Sequence, residues 1–336
     1  MPVLVDGSAA QALGPGFDEA AELVRNEFSG LDPDRQYRNA FARLLKPDPL
    51  GRVLMMGTDQ RDLFIPAVRA AVIGHVPEHG QLLDLGAGDG QTFALIAEAV
   101  PAGTTVSFEE PNPHYFADYS AALRRQVHLK PGAALGVGFD DLHDAGGQRL
   151  PGLPADESQH LVMALHMIYF LDDLPAGLVR MARFVRPGGA LVIVVADETV
   201  AYTGRVLRAF VAAGGRGAAY SRHLAAIAER NRLLAPAPDG GSALLALLQA
   251  RLPDARFSLA TERQPSRLYG HSLADIIALS NIAALAGAND LSKFDVACQL
   301  LRNAPESVDL RIEDEGPRAG MWSVQQPQLL AVLRRH

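Results

Sequence analysis

Apolar runs and amphipathic stretches alternate along the middle of the chain. From residue 81 onward, nearly continuous apolar runs predict strands, at 81–86, 104–109, 133–138, 160–166 and 190–196. Between these runs, apolar residues at helical spacing predict helices, at 90–99, 113–126, 172–185 and 201–213. Because strands without a polar face need cover on both sides, this alternation predicts an α/β fold with a doubly wound, mostly parallel sheet.

The stretches on either side of this region are mainly helical. Helical spacing of apolar residues predicts further helices, at 17–28, 34–45, 61–76, 272–287 and 291–302. Glycines and prolines at 214–215 and 236–241 bracket a helical stretch. Strand character returns near 256–261, and short apolar runs at 308–312 and 321–324 predict a final hairpin.

This pattern divides the chain into four segments. We interpret residues 1–60 as an N-terminal helical lid and residues 61–213 as the core of the sheet. Residues 214–255 are interpreted as a helical insert that lines the substrate, and residues 256–336 as the segment that completes the sheet. Ligands of such sheets bind at the carboxyl ends of the strands, so the candidate site lies where the predicted strands end.

The first predicted strand ends in a turn that contains the glycines Gly86, Gly88 and Gly90. Glycine lets a backbone approach a ligand closely. The second predicted strand, about twenty residues further on, ends in Glu109-Glu110, and an acidic side chain at this place can bind the two hydroxyls of a ribose. The two features together predict a bound nucleoside. A tight turn that binds nothing is the alternative.

The spacing of the glycines separates two classes of nucleoside cofactor. A dinucleotide fingerprint reads G-x-G-x-x-G, and Gln91 stands where its third glycine would be. This sequence instead has G-x-G-x-G with Asp84 two residues ahead, which resembles motif I of the class I S-adenosylmethionine (SAM) methyltransferases. The continuation Glu110-Pro111-Asn112-Pro113 and the run Arg186-Pro187-Gly188-Gly189 are also similar to that family.

The resemblance implies a cofactor, its ligands and a completed fold. The cofactor is SAM, with S-adenosylhomocysteine as the product, and the final hairpin completes a seven-stranded sheet. Glu110 binds the ribose, whereas Glu109 points to the opposite face if the strand persists and is then disfavoured as a ligand. The expected cofactor contacts come from the strand ends and from the end of the lid: Asp84, Gly86, Gly88, Gly90, Gln91, Glu110, Pro111, Phe139, Asp140, Leu165 and Gln60.

Phe139 and Asp140 follow the third predicted strand. The resemblance implies that Asp140 accepts a hydrogen bond from the adenine amino group and that Phe139 packs against the adenine ring. A plain acidic turn explains the same residues nearly as well. The adjacent acids Asp140 and Asp141 would also suit a magnesium ion, but no further acid stands at a supporting spacing, so no metal is predicted.

The fourth predicted strand ends at His166, where the transferred methyl group should face. Histidine can take a proton from the acceptor, because the pKa of imidazole lies near neutrality. A hydrogen-bonded structural histidine is the alternative. Tyr169 is a second candidate catalytic residue, which either hydrogen-bonds the substrate or only packs. The segment 165–173 resembles small-molecule methyltransferases of the histamine N-methyltransferase type. Tyr37 in the lid and Trp322 are further candidate substrate contacts.

Composition narrows the class of partner. The net charge is −7 and no basic block occurs, which argues against a nucleic-acid partner. The single cysteine, Cys298, allows neither an intrachain disulfide nor a cysteine zinc site. The sequence has no apolar run of about 18 residues and no visible signal peptide, so a cytoplasmic protein without a membrane partner is expected. The insert offers a surface for a homodimer, but the oligomeric state is left open.

The sequence thus favours an enzyme of the SAM-dependent methyltransferase class. The expected reaction is an in-line transfer of the methyl group, in a closed apolar pocket, to a nitrogen or carbon of a small aromatic molecule of natural-product type. Indoles and amines are the expected acceptors, and the expected role is in secondary metabolism. Three alternatives stay open: an O-methyltransferase, a SAM-binding regulatory protein without activity, and a nicotinamide-dependent oxidoreductase, which Gln91 disfavours.

Overall fold

Two compact units make up the chain, each assembled from three stretches. The structure, a computed structural model, describes residues 3–5, 14–47, 53–142, 149–215, 218–235, 242–283 and 290–336. The first unit, called the sheet unit, consists of Arg61–Val195, Glu229–Gln264 and Leu329–His336, as far as these are described. The second unit consists of the described residues of Met1–Gln60, Ala196–Ala228 and Pro265–Gln328.

The elements are numbered along the chain. The strands are β1 (Val3–Leu4), β2 (Lys46–Pro47), β3 (Val53–Leu54), β4 (Gln81–Leu85), β5 (Thr105–Glu109), β6 (Lys130–Leu135), β7 (Gln159–Leu165), β8 (Val185–Ala196), β9 (Phe257–Gln264), β10 (Arg267–Gly270), β11 (Arg311–Ile312), β12 (Trp322–Gln325) and β13 (Gln328–Arg335). The α-helices are α1 (Gly14–Phe28), α2 (Pro33–Ala42), α3 (Gln60–His75), α4 (Gln91–Ile96), α5 (Pro113–Arg124), α6 (Leu174–Phe184), α7 (Tyr202–Ala212), α8 (Ala218–Leu234), α9 (Ala243–Arg251), α10 (Leu273–Leu279) and α11 (Ser292–Asn303). Short 3₁₀ helices lie at Ala97–Ala99, Phe139–Leu142, Ile168–Phe170, Ser280–Ala283, Pro305–Val308 and Gly316–Arg318.

A seven-stranded sheet runs through the sheet unit in the order β6-β5-β4-β7-β8-β13-β9. The strands from β4 to β8 pair in parallel, with β4 between β5 and β7. They are the five strands predicted from the apolar runs, and the predicted α/β fold with a seven-stranded, mostly parallel sheet is confirmed. Because the chain leaves β4 on one side and returns on the other as β7, the carboxyl ends of β4, β5 and β7 meet at a switch point.

The central strands β4 and β7 are largely apolar on both faces because each face packs against helices. In β4, Leu83 joins one hydrophobic cluster and Leu82 joins another, and in β7 Val162 and Leu161 divide in the same way. Helices α6 and α9 contribute to the first cluster, whereas α3, α4 and α5 contribute to the second. Side chains that alternate between two buried layers explain why the sequence shows no polar face in these strands.

The prediction that the final hairpin completes the large sheet is wrong. The runs at 308–312 and 321–324 contain β11 and β12, which pair with each other in a separate four-stranded sheet of order β1-β11-β12-β10. The large sheet is completed by β13 and β9 instead. The strands β9, β11, β12 and β13 are all apolar or mixed runs. No local pattern states which sheet such a run will join.

The second unit has a hydrophobic core of its own. Helices α1, α2, α7, α10 and α11 contribute to it, and the rings of Phe28 and Phe294 meet edge to face with centroids 5.1 Å apart. The helix predicted at 272–287 is described only as far as residue 283, and the run 236–241 lies outside the described residues. The roles of lid and substrate wall given to residues 1–60 and 214–255 stay predictions.

Candidate functional site

The turn after β4 needs glycine at three places, for different reasons. Gly86, Gly88 and Gly90 have φ angles of 59°, 62° and 80°, in the left-handed region that other residues rarely adopt. A Cβ on Gly86 would lie 2.3 Å from the Cβ of Met167, and one on Gly90 would lie 3.1 Å from the Cα of Tyr119. A Cβ on Gly88 would meet no atom within 4 Å. The middle of the turn therefore borders open space.

Glu110 lies directly beyond β5 and reaches back to this turn. Its Oε2 accepts a hydrogen bond from the N–H of Gly88, and its Oε1 accepts one from the N–H of Asn112, each at 2.8 Å. The side chain is only 6% exposed. Asn112 in turn caps α5, since its Oδ1 accepts from the N–H of His114 at 3.0 Å. The carboxylate is thus held in one position by the start of α5 and by the turn.

Glu109 also faces the glycine turn, because its strand does not persist beyond it and the condition for placing its side chain on the opposite face is not met. Its Oε2 accepts a hydrogen bond from the N–H of Gly86 at 2.8 Å, and its backbone carbonyl accepts one from the N–H of Ala87 at 2.9 Å. The alternation of faces applies only while a strand continues, and β5 ends at Glu109. Burial raises the pKa of Glu109 to about 7, and the nearby carboxylates of Glu110 and Asp84 act in the same direction.

Asp84 adds a third carboxyl group behind the turn. It is buried in β4, and its Oδ2 accepts a hydrogen bond from the hydroxyl of Tyr119 at 2.9 Å. Burial raises the pKa of Asp84 to about 7, the hydroxyl of Tyr119 opposes this rise, and Glu110 adds to it. The strand end, the turn and α5 are therefore joined through carboxyl groups.

Phe139 and Asp140 have protein partners of their own. The carboxylate of Asp140 accepts hydrogen bonds from Nη2 of Arg180 and from the N–H of Asp172, each at 2.8 Å. The guanidinium carbon of Arg180 lies 4.6 Å from the ring centroid of Phe139, which is 4% exposed. These contacts account for both residues as parts of an ordinary acidic turn. Their contact with adenine stays a prediction.

The remaining predicted cofactor residues of the sheet unit lie around the same strand ends. Gln91 begins α4, where its Nε2 donates to Asp89 at 2.7 Å and its Oε1 accepts from Arg61 at 3.2 Å. Pro111 is exposed beside Glu110, and Leu165 is the half-buried last residue of β7. The structure thus brings the predicted turn and strand-end residues together at the switch point.

His166 follows β7 with its backbone in the left-handed region, which few residues other than glycine adopt. Its φ is 56°, in the left-handed region, and its N–H donates to the carbonyl of Val194 at 2.8 Å. Its Nδ1 lies 3.2 Å from the hydroxyl of Tyr169, and its ring centroid lies 5.7 Å from that of Phe64. A non-glycine residue held in this region costs backbone energy, and such residues cluster at functional sites. The catalytic role of His166 stays a prediction.

Arg230 is a residue of this region that the sequence did not single out. It lies on α8, is 4% exposed, and places its guanidinium carbon 5.0 Å from the ring centroid of Tyr169. Helix α8 also carries Arg222 and Arg232, both exposed, and their sequence context does not distinguish them from Arg230. Phe64 was likewise predicted only as part of a helix. Neither side chain carries a signal of its own in the sequence.

The other predicted contacts belong to the second unit. Tyr37 lies on α2, with its ring stacked on that of Phe41 at 6.0 Å. The N–H of Gln60 donates to Oγ1 of Thr58 at 3.2 Å. Trp322 begins β12. The cofactor and substrate roles of Tyr37, Gln60 and Trp322 stay predictions.

The described ranges show neither a metal-binding cluster nor a membrane-spanning helix. These ranges contain no group of three or more histidine, cysteine, aspartate or glutamate residues that could hold a metal ion. None of the helices they contain is both long enough and apolar enough to cross a membrane. Cys298 is buried, and its thiol donates to the carbonyl of Phe17 at 3.3 Å.

No protein-family model matches the chain, and no curated protein matches it. Several solved structures are similar in fold. YcgJ from Bacillus subtilis is 12% identical, with a TM-score of 0.46 over 82% of this chain and 98% of its own. A SAM-dependent methyltransferase from Aquifex aeolicus is 14% identical, with a TM-score of 0.34 over 50% and 74%. Geranyl diphosphate C-methyltransferase from Streptomyces coelicolor is 13% identical, with a TM-score of 0.37 over 80% and 77%.

Proposed function

We propose that the chain is a SAM-dependent methyltransferase that acts on a nitrogen or carbon atom of a small aromatic molecule of natural-product type. The observation that carries the proposal is the carboxylate of Glu110, which the N–H groups of Gly88 and Asn112 hold beside the glycine turn. A fixed carboxylate after β5, next to left-handed glycines after β4, suits the ribose of a nucleoside. The G-x-G-x-G spacing favours SAM over a dinucleotide.

The residues at the turn fit such a ligand. A side chain on Gly88 would extend into open space, so the turn itself leaves room for a ligand. Each oxygen of the Glu110 carboxylate accepts one N–H and keeps a further lone pair. Two lone pairs on one rigid carboxylate match the two neighbouring hydroxyls of a ribose.

We place the acceptor of the methyl group at the end of β7. SAM supplies a methyl group on a positively charged sulfur, so the chain has to align the acceptor and, where necessary, take up its proton. His166 is the candidate for the proton, because the strand end and its left-handed backbone fix the direction of the ring. Tyr169, whose hydroxyl lies 3.2 Å from Nδ1 of His166, orients the imidazole.

Aromatic side chains at this strand end support an aromatic acceptor. The rings of Phe64 and Tyr169 lie with centroids 5.7 and 6.2 Å from that of His166, and Phe170 is 61% exposed. Ring faces and edges of this kind stack on indoles and aromatic amines. A histidine serves a nitrogen or a carbon acceptor equally well, so the proposal includes both. It places the enzyme in the cytoplasm with small-molecule partners alone.

Calorimetric titration with S-adenosylhomocysteine tests the proposal. We expect binding at micromolar concentration or below by the wild type, and binding at least about tenfold weaker by Glu110→Gln, because the amide has one acceptor oxygen instead of two. The matched control is Glu98→Gln, which alters an exposed glutamate of the same unit and should leave the affinity unchanged.

Two other outcomes would redirect the interpretation. Binding of NAD by the wild type without binding of S-adenosylhomocysteine would overturn the proposal in favour of an oxidoreductase. Binding of S-adenosylhomocysteine without transfer of labelled methyl groups to a panel of indoles and aromatic amines would indicate another acceptor or a SAM-binding regulatory protein. A panel of phenols added to the same assay detects O-methylation.

A further inference from the structure

Glu109 is a second acidic side chain that bonds to the glycine turn, next to Glu110, the proposed ribose ligand. Its Oε2 accepts the N–H of Gly86 at 2.8 Å, while Glu110 accepts the N–H of Gly88 two residues further along. The Glu109 side chain is 1% exposed. Two successive glutamates therefore hold alternate peptide groups of one turn, and burial keeps the carboxylate of Glu109 away from bulk water.

The charged groups that act on Glu109 are all acidic: Glu110, Asp84 and Asp140. Asp140 is compensated by an ion pair with Arg180 at 2.8 Å. The partners of Asp84 and Glu109, in contrast, are the hydroxyl of Tyr119 and a backbone N–H, which carry no net charge. Negative charge therefore accumulates at the turn when these groups are ionised.

We propose that Glu109 makes the cofactor site prefer the cationic methyl donor to its neutral product, an inference that rests on the function proposed above. SAM and S-adenosylhomocysteine share their nucleoside and amino-acid parts, and they differ by one methyl group and one positive charge on sulfur. A buried carboxylate is weakly screened by salt and water, so its attraction for a cation acts over several ångströms. The neutral product gains nothing from that attraction.

This preference has a consequence for the reaction cycle. The positive charge leaves the sulfur when the methyl group is transferred, so the attraction by Glu109 disappears at the moment when the product forms. Product release and its replacement by fresh donor are then both favoured. The preference for the donor over the product can be altered by removing the carboxylate of Glu109. Removing that of Glu110 would not isolate this preference, because the ribose of both ligands needs it.

The ratio of the dissociation constants for S-adenosylhomocysteine and SAM isolates this effect, because contacts that the two ligands share cancel in the ratio. We would measure both constants by calorimetry at pH 8 for the full chain, for Glu109→Gln and for the exposed control Glu98→Gln. The glutamine keeps an oxygen that can accept the N–H of Gly86 but removes the charge. The ratio should fall by about three- to tenfold in Glu109→Gln and stay unchanged in Glu98→Gln.

A second measurement on the wild type covers the case in which Glu109→Gln does not fold. The same ratio should rise between pH 5.5 and pH 8, as Glu109 loses its proton. Asp84, Glu110 and Asp140 also act on Glu109. Because burial raises the pKa of Asp84 to about 7 as well, any rise of the ratio with pH that remains in Glu109→Gln comes from Asp84. An unchanged ratio in the folded variant, or a constant wild-type ratio across this pH range, overturns the inference and leaves the proposed function intact. Failure of the wild type to bind either ligand removes the proposed function itself.

Discussion

Tyr119 donates a hydrogen bond to Asp84 across 2.9 Å in the interior of the sheet unit. Tyr119 lies on α5, and Asp84 lies in β4 directly before the glycine turn. The bond therefore connects the helix that follows the candidate ribose ligand to the strand that carries the turn. It also supplies a donor to a carboxyl group whose pKa burial raises to about 7, and it opposes that rise.

Removal of this hydroxyl is the first prediction. Tyr119→Phe keeps the ring in its packed position but leaves the buried carboxyl of Asp84 without its hydroxyl donor. We expect the free energy of unfolding to fall by about 1–3 kcal/mol, measured by urea denaturation at pH 7. Tyr115→Phe on the same helix is the control, since Tyr115 is exposed. Equal stability of the two variants would mean that the bond does not matter to the fold.

The dependence of stability on pH follows from the two raised pKa values. The pKa values of Asp84 and Glu109 are about 7 in the folded chain, against 3.8 and 4.5 ordinarily. Between about pH 4.5 and 7 the folded chain therefore binds more protons than the unfolded chain, so the free energy of unfolding must fall as pH rises through this range. The contribution is on the order of 3 kcal/mol for each group.

Urea denaturation without ligand at pH 5 and pH 8 checks this sign. Glu109→Gln removes one of the two titrating groups, so the difference in stability between the two pH values should shrink in that variant. Glu98→Gln should show the wild-type difference. A wild type that is more stable at pH 8 than at pH 5 would contradict the assignment of these groups as the main source of the dependence.

Two of the three glycines of the turn, Gly86 and Gly88, should respond differently to alanine. Gly86→Ala drives a Cβ to 2.3 Å from that of Met167 and should destabilise the fold by several kcal/mol, roughly 3 or more, because packing and backbone strain add. Gly88→Ala meets no atom within 4 Å and should cost only the left-handed strain, about 1–2 kcal/mol. Its main effect should be loss of affinity for S-adenosylhomocysteine, because the methyl group occupies the space beside the turn.

Thermal unfolding and calorimetry on the same samples separate these effects. A Gly88→Ala variant that binds S-adenosylhomocysteine as the wild type does would show that the ligand does not approach the middle of the turn. That result would remove the open space beside Gly88 from the support for the proposed cofactor site, and the Glu110 carboxylate would have to carry it alone.

His166→Asn tests the proton-accepting role without disturbing the backbone. Asparagine tolerates the left-handed region better than most residues, so the melting temperature should stay close to that of the wild type. Because the amide cannot take up a proton at neutral pH, kcat should fall by about 10²- to 10⁴-fold with an acceptor that must lose a proton. Unchanged turnover would leave alignment alone as the contribution of this strand end.

Arg230 is expected to hold Tyr169 in place through the cation over its ring. Arg230→Met removes the cation and should raise the KM for the acceptor severalfold, since cation–π contacts contribute about 0.5–2 kcal/mol. Affinity for S-adenosylhomocysteine should not change. Arg230→Lys keeps the positive charge and should recover part of the loss. If lysine and methionine behave alike, Arg230 acts through its packing rather than its charge.

The central strands were predictable because their residues carry a repeated signal. Leu82 and Leu83 face opposite layers and are both buried, so the run is apolar at every position. Strand character is also predicted near 256–261 and β9 lies there, but its residues are mostly exposed or half-buried, so the pattern does not indicate which sheet it joins. Its place at the edge of the sheet depends on pairing with β13, which lies far away along the chain.

The candidate site was predictable only in part. The glycine turn and Glu110 follow from spacing, because each stands directly after a strand that the apolar runs predict. The direction of the Glu109 side chain depends on whether its strand continues, which the sequence does not state, and β5 ends at Glu109. Arg230 was missed because burial of one arginine among three on α8 depends on distant packing against Tyr169.

The interrupted order of the sheet unit has a consequence for synthesis on the ribosome. Strand β8 ends at Ala196, whereas its neighbour β13 begins at Gln328, and most of the second unit is translated between them. A nascent chain therefore carries a strand that is apolar on both faces and has one edge without its partner, which invites association with other chains. Translation that stops within this interval should yield aggregates, and productive folding should depend on chaperones that cover this edge of β8 until β13 has emerged.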